Sequence, residues 1–329
     1  MTAKPRSRAR RVLWRLLQLG GAGLLLLGVV VFVTSGYGAA FGSAASGEGR
    51  RRVSASPHFA GDKFHNTAAV QMMRPGQTLT VLRRFLFDQK DRVPGAPLAV
   101  AHPSAAALAT PPPSGLRLTW FGHSAVLIEI DGVRLLTAPM WGPRAAPTTV
   151  LGPARFHEPP AALEALGDLD AVIISHDHYD HLDMLTIRAL MQRRAHFLVP
   201  LGVGAHLLRW GVPAERISEH DWWQEAQVGP VRIVATPAQH FSGRGVLDGN
   251  HTLWSSWTLV GPRHRVFFSG DTGLMRDFED IAAKLGPFDV ALLEIGAYHP
   301  SWGDIHLGPD NALKALRMLG ARRMLPTHW

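Results

Sequence analysis

Residues 176–181 read His176-Asp177-His178-Tyr179-Asp180-His181, directly behind Asp170-Ala171-Val172-Ile173-Ile174-Ser175. The run before the histidines is rich in β-branched residues and predicts a buried strand. Asp183, followed by Met184, Leu185, Leu190 and Met191, predicts a capped amphipathic helix. The imidazoles therefore stand on a loop at a strand's carboxyl end. A polar surface loop explains one such histidine. Imidazoles and carboxylates packed this closely repel protons and cost free energy on burial, unless a divalent cation compensates them.

Matching groups come later in the chain. His240 follows the strand-like stretch 231–236 in Thr236-Pro237-Ala238-Gln239-His240. Asp271 follows Val266-Phe267-Phe268 in Ser269-Gly270-Asp271-Thr272-Gly273, and His328 follows Met324-Leu325-Pro326-Thr327. Each candidate ends a predicted strand and begins a loop, where a sheet edge gathers side chains from distant sequence. Together with His176, His178, Asp180 and His181 they exceed what one tetrahedral zinc uses. Two ions about 3.5–4 Å apart, sharing one carboxylate and one water, use them all.

Around this cluster strands and helices alternate. Residues 116–119, 125–130 and 133–137 predict hairpins, with Asp131-Gly132 as a two-residue turn. Helices are expected at about 184–194 and 204–210, and further strands through 231–268. The last helix opens at Pro309, presents Ala312, Leu313, Leu316 and Leu319 on one face, and ends at Gly320. Two half-domains with helices outside predict an α/β fold of the αββα sandwich type.

These residues resemble the metallo-β-lactamase fold hydrolases, whose mark is His-x-His-x-Asp-His. The likeness is greatest to bacterial relatives of N-acylphosphatidylethanolamine-hydrolysing phospholipase D, and more distant to L-ascorbate phosphate lactonases. It extends over residues 116–329 through Trp120-Phe121-Gly122-His123-Ser124, Arg155-Phe156-His157-Glu158-Pro159-Pro160, Leu253-Trp254-Ser255-Ser256-Trp257 and Gly296-Ala297-Tyr298. The resemblance implies His176, His178 and His240 on one zinc, Asp180, His181 and His328 on a second, and Asp271 bridging them. Two departures stand out. Thr137-Ala138-Pro139 replaces Thr-Asp-Pro, removing a carboxylate that would orient a ligand. His299 and Ser301 replace Glu and Arg in Gly-Ala-Tyr-Glu-Pro-Arg-Trp, removing a cation suited to phosphate.

The charge of +8 suggests nucleic-acid binding until it is apportioned. Residues 1–52 hold nine Lys and Arg against Glu48 alone, so the other 277 residues are formally neutral. That counts against an RNA-processing enzyme, which needs a basic face on the catalytic domain itself. Lys4, Arg6, Arg8, Arg10, Arg11 and Arg15 precede an uncharged run, 16–41, whose strongly apolar core, 16–33, is 18 residues long. This is close to the roughly 20 that cross a bilayer. The expected organisation is a basic cytoplasmic N-terminus (1–15), a transmembrane signal-anchor (16–41), a flexible linker (42–57), an N-terminal extension with a helix over 78–92 and a Pro/Ala-rich tail (58–115), and an extracytoplasmic catalytic domain (116–329). Small residues from Gly36 to Ala45 also fit signal-peptidase cleavage, and Arg10-Arg11 faintly fits twin-arginine export. Relatives continue past the His328-Trp329 phrase, so the chain reads as a fragment with His328 near a fraying end. Cysteine is absent, which removes disulfides and thiolate ligands together.

Chemically, two zinc ions lower the pKa of a shared water to about 7 and poise a bridging hydroxide for attack on phosphorus or a carbonyl carbon. Manganese or iron is an alternative, but a histidine at the motif's second ligand position favours zinc. Asp180 serves as ligand and orients the nucleophile. His306 resembles a residue at the active-site rim and is expected to contact substrate or leaving group, with a surface histidine as the other reading. Tyr298 offers a phenol to an oxyanion, with core packing as its alternative. His123 is expected as a supporting or packing residue, and Glu294 as an electrostatic support or a salt-bridged edge carboxylate. Trp222, Trp223, Trp254, Trp257 and Trp302 are expected mostly in the core, with one or two at the metal mouth to suit an amphiphile. The reading is a membrane-anchored phosphodiesterase acting on a lipid or amphiphilic substrate. Its rivals are a lactonase or carboxylic-ester hydrolase, and a non-catalytic metal-binding interaction module.

Overall fold

Val126, Ile128 and Ile130 point to one face of a strand and Ala125 and Leu127 to the other, because successive side chains alternate. The first set lies in an apolar layer between two sheets, and the second packs against helices outside. The division recurs along the chain. Ala171 and Ile173 point inward and Val172 and Ile174 outward; Val266 and Phe268 point inward and Phe267 outward. Strands covered on both faces read as continuous apolar runs, which is why these segments are so rich in Val, Ile and Phe. Truncating Ile173 to Ala would cost about 2–5 kcal/mol at such a site.

The structure is a computed structural model describing Trp14 and residues 17–23, 28, 37–77, 79–81, 83, 93–296, 299 and 301–329. Helix α1 (Gly47–Ala55) and the hairpin of β1 (Phe59–Ala60) and β2 (Lys63–Phe64) precede helix α2 (Ala105–Ala109). The first sheet follows as β3 (Leu116–Gly122), β4 (Ala125–Ile130), β5 (Val133–Thr137), β6 (Ala171–Ile173), β7 (His196–Pro200) and β8 (Ile217–His220), in that order. Its helices are α3 (Met184–Leu190) and α4 (Gly204–Trp210). The second sheet comprises β9 (Glu225–Val228), β10 (Val231–Thr236), β11 (Ser256–Val260), β12 (Arg265–Phe268), β13 (Val290–Glu294) and β14 (Met324–Thr327), backed by α5 (Asp277–Leu285) and α6 (Gly308–Met318). Each sheet starts antiparallel and ends parallel. The carboxyl ends of β3 and β6 therefore share one edge of the first sheet, and those of β10, β12, β13 and β14 one edge of the second.

The expected turn is present, with Asp131 at φ 49° and Gly132 at φ 89°, both left-handed as a tight hairpin requires. Asp131 also accepts from the amides of Arg263 (2.8 Å) and His264 (3.1 Å), joining the two sheets at this end. Helix α3 is capped by Asp183, which accepts from Leu185 and Thr186. It ends at Leu190 rather than near 194, where the backbone tightens into bonds three residues back, Gln192 to Ala189 and Arg193 to Leu190, and the Arg193 side chain donates to the carbonyls of Leu163 and Gly167.

Residues 42–57, expected as a flexible linker, carry α1 instead. Glu48 pairs with Arg51 and Arg50 with Asp62, while Val53 is fully buried beside Phe64, Leu201, Trp222, Leu253 and Trp254. A composition of small and basic residues conceals one apolar side chain with a place to go. Of the expected membrane segment, residues 17–23 and 28 are described as helical and exposed; residues 1–13, 15–16, 24–27 and 29–36 lie outside the described residues, as does most of the helix expected over 78–92. Among the described residues no helix is long and apolar enough to cross a membrane.

Candidate metal centre

Topology brings the predicted ligands to one place. The loop after β6 supplies His176, His178, Asp180 and His181, and the segments after β10, β12 and β14 supply His240, Asp271 and His328. His176, His178 and His240 form one group, with donor nitrogens all within 4.8 Å of one another. His178 Nδ1 lies 2.9 Å from His176 Nε2 and 3.4 Å from His240 Nε2. Asp180, His181 and His328 gather in a second group together with His123. Asp271 lies between. Its Oδ1 is 3.1 Å from His181 Nε2, and its Oδ2 is 3.0 Å from His328, 3.8 Å from His240 and 3.9 Å from His176.

Burial and the mutual charges of the cluster set its electrostatics. Burial pushes His176 and His240 well below the usual imidazole range, and neighbouring imidazoles push His176 further, so both are neutral donors. Burial alone would raise Asp180 and Asp271, yet the surrounding histidines hold both carboxyls well below the ordinary range. His328 would likewise fall on burial, but the Asp271 and Asp180 carboxylates hold it well above its usual value. Among the described residues several buried atoms nevertheless lack a partner of hydrogen-bond geometry: His181 Nε2, both His328 nitrogens and Asp271 Oδ1. Of these, His181 Nε2, His328 Nε2 and Asp271 Oδ1 belong to one cluster around the Asp271 carboxylate and fit a divalent cation, which would satisfy them.

The ligand rings are held from behind. Ser175 Oγ lies 3.0 Å from His176 Nδ1, and the Ile305 carbonyl 3.0 Å from His240 Nδ1, leaving Nε2 of each toward the cluster. His328, expected near a fraying end, is anchored by β14 pairing with β13 and by its amide donating to the His123 carbonyl at 3.1 Å. A Cβ on Gly296 would meet the His328 carbonyl oxygen at 1.3 Å, so only glycine allows this approach. Ala138, where the carboxylate of relatives is missing, is fully buried at φ 36°, a backbone that Asp or Gly adopts more readily.

Of the other predicted residues, His123 touches the cluster: its Nε2 lies 2.9 Å from Asp180 Oδ2, and burial pulls it down to about 4. His306 stands beside it, with ring centroids 5.1 Å from His240 and 5.4 Å from His328. Its Nδ1 is 3.3 Å from Oε1 of the fully buried Glu294. Tyr298 lies outside the described residues. His299 Nδ1 accepts from the Ser301 amide at 3.1 Å. Trp222, Trp254 and Trp257 are core, while Trp120 and Trp329 stack at 5.2 Å near His123 and His328.

Three supports had no sequence signal strong enough to single them out. Asp177, inside the motif, faces away from the cluster and accepts from Gly243 N (2.7 Å) and Thr252 Oγ1 (2.9 Å). Arg244 is buried against Tyr179, its guanidinium 4.0 Å from the ring centroid, and donates to the carbonyls of Asp177, Leu182 and Ala40. Asn66 brackets the backbone of His240, donating to its carbonyl at 2.9 Å and accepting from its amide at 3.0 Å. Asp177 occupies an unassigned position of the motif, whose spacing says nothing of where its side chain points. A lone Arg or Asn in a loop carries no spacing at all.

A family model described as a β-lactamase superfamily domain matches residues 133–329. An uncharacterized protein of Mycobacterium tuberculosis (strain ATCC 25618 / H37Rv) is 52% identical over 240 residues, 72% of this chain and 63% of the relative. The N-acyl-phosphatidylethanolamine-hydrolyzing phospholipase D 1 of Caenorhabditis elegans is 39% identical over 228 residues, 66% of this chain and 64% of the relative. The chain thus spans less than two thirds of the length of these relatives. Among solved structures, Igni18, a novel metallo hydrolase from the archaeon Ignicoccus hospitalis, superposes with a TM-score of 0.50 at 25% identity, over 65% of this chain and 82% of that one.

Proposed function

The chain belongs to the β-lactamase superfamily of metal-dependent hydrolases, and from that premise we propose a dinuclear zinc phosphodiesterase of phospholipase D type, acting on a lipid or other amphiphilic phosphodiester. The observation that supports two metals is Asp271, whose carboxylate lies within 3.1 Å of His181 and His328 from one group and within 3.9 Å of His176 and His240 from the other. His176, His178 and His240 would hold one ion, Asp180, His181 and His328 the other. Bound there, the ions would lower the pKa of a water to about 7 and offset charge building on a phosphoryl oxygen. Zinc suits a set dominated by neutral imidazoles. The C. elegans phospholipase D supports the substrate class.

The chain's own groups then divide the work. His123 holds the Asp180 carboxylate, whose free lone pairs orient the attacking water. His306, beside His240 and His328, stands where a leaving oxygen needs a proton. Tyr298 is assigned to the oxyanion on sequence grounds alone. The uncharged run 16–41 behind six basic residues supports a membrane anchor with the catalytic domain outside, close to lipid.

A lactonase or carboxylic-ester hydrolase is the second reading, favoured by Ser301 and His299 where a phosphate-binding phrase has Arg and Glu. Metal analysis of the purified protein, with turnover measured on phosphodiester, lactone and β-lactam substrates, separates them. The expected result is two zinc ions per chain and a preference for amphiphilic phosphodiesters. Preferred turnover of a lactone with phosphodiesters untouched would hand the site to the second reading.

A further inference from the structure

We infer that Glu294 is a positioning residue for His306, holding the ring by its Nδ1 side so that Nε2 is left for the substrate's leaving oxygen. The inference rests on the leaving-group role proposed for His306 above. Glu294 is the last residue of β13, between the strands that lead to Asp271 and His328. A glutamate with no exposure at all is expensive unless its charge or its proton is used. Its Oε1 accepts from the Leu307 amide at 2.5 Å and lies 3.3 Å from His306 Nδ1, so one oxygen addresses two consecutive residues of the segment entering α6. Among the described residues its Oε2 has no hydrogen-bond partner. The Nδ1 contact is close but off hydrogen-bond alignment, a gap that catalytic pairs close when substrate fixes the ring.

Imidazole geometry supplies the rest. With Nδ1 toward Glu294, Nε2 is on the far side of the ring, and the ring itself borders His240 and His328. During hydrolysis the bond from phosphorus to the leaving oxygen breaks with its electron pair going to that oxygen, which takes the Nε2 proton. Water supplies the oxygen that replaces it on phosphorus and the proton that returns to the imidazole. A carboxylate at Nδ1 keeps the ring aimed and stabilises it while it carries both protons. A plain structural carboxylate, by contrast, would hold only the Leu307 amide.

The test compares Glu294→Ala, Glu294→Gln, His306→Ala and the Glu294→Ala/His306→Ala double variant of the full chain. Two phosphodiesters are used that differ only in the leaving group, one p-nitrophenolate and one alkoxide, with metal content measured on each protein. Glu294→Ala should lower kcat on the alkyl ester roughly 10–100-fold, lose far less on the nitrophenyl ester, and keep its metals and KM. Glu294→Gln, which retains an acceptor for the Nδ1 proton, should recover part of the loss. Adding Glu294→Ala to His306→Ala should cost nothing further, since one residue acts through the other. Equal losses on both esters, additive losses in the double variant, or metal loss in Glu294→Ala would overturn the inference. Should Glu294→Ala not fold, Glu294→Gln carries the test through a several-fold kcat loss confined to the alkyl ester; parity with the unmodified enzyme rejects the role. A slow His306→Ala beside a Glu294→Ala of full activity rejects Glu294 alone. A His306→Ala enzyme that treats both esters as the unmodified protein does rejects the leaving-group reading, and this inference with it.

Discussion

Asp271 follows β12 and reaches, with two oxygens, imidazoles that come from three other loops. Replacing one oxygen by an amide nitrogen puts a donor where a cation is expected and removes the charge that offsets two of them. Asp271→Asn should therefore lower hydrolysis by orders of magnitude and bring metal content below two per chain, read by elemental analysis of the purified variant. Full activity with both metals retained would refute the dinuclear assignment. At this scale residue identity is legible in the chain alone, because metal-binding chemistry needs particular atoms in particular numbers. Direction is not. Asp177 and Asp180 are both aspartates of the same short motif, yet one turns to Gly243 and Thr252 while the other turns to His123 and His328.

The elements that hold these residues are partly far from them in sequence. The segment expected as a flexible linker, 42–57, contributes α1, whose Val53 closes a small core with Trp222 and Trp254, and the extension after it contributes Asn66, which grips His240. Trp254 Nε1 also reaches Asn66, at 3.1 Å, so the extension ties together the two ends of the loop between β10 and β11. Asn66→Ala leaves the His240 amide and carbonyl unpaired at a buried site. It should destabilise the fold by about 2–4 kcal/mol and weaken metal binding roughly 10–100-fold, measured by denaturant unfolding and by competition with a chelator. An unchanged metal affinity would confine Asn66 to packing. Strands and helices themselves were legible over most of their length from the period of their apolar residues. Their ends were less so: α3 stops at Leu190, where the backbone tightens into bonds three residues back while the apolar pattern alone runs on.

For the molecule as a whole, the net charge is confined to the N-terminal 52 residues while the remaining 277 are formally neutral. Six basic residues ahead of an uncharged run motivate the expectation that the protein fractionates with membranes, resists salt extraction and exposes its catalytic domain to protease from the outer face. A soluble cytoplasmic protein with its N-terminus intact would refute the anchor. The αββα layering was already implied by runs such as 170–175 and 266–268, since apolar side chains on both faces of a strand must be covered from both sides. The amino-acid sequence by itself thus determined the layers and the identity of the candidate ligands, through local periodicity and the coordination chemistry of imidazole and carboxylate. Tertiary structure alone decided that Asp271 faces both groups of histidines, that Glu294 meets His306, and that Asn66 meets His240. Those contacts join residues from 12 to 174 positions apart, and no local pattern in a chain encodes which distant side chain a sheet edge will bring alongside.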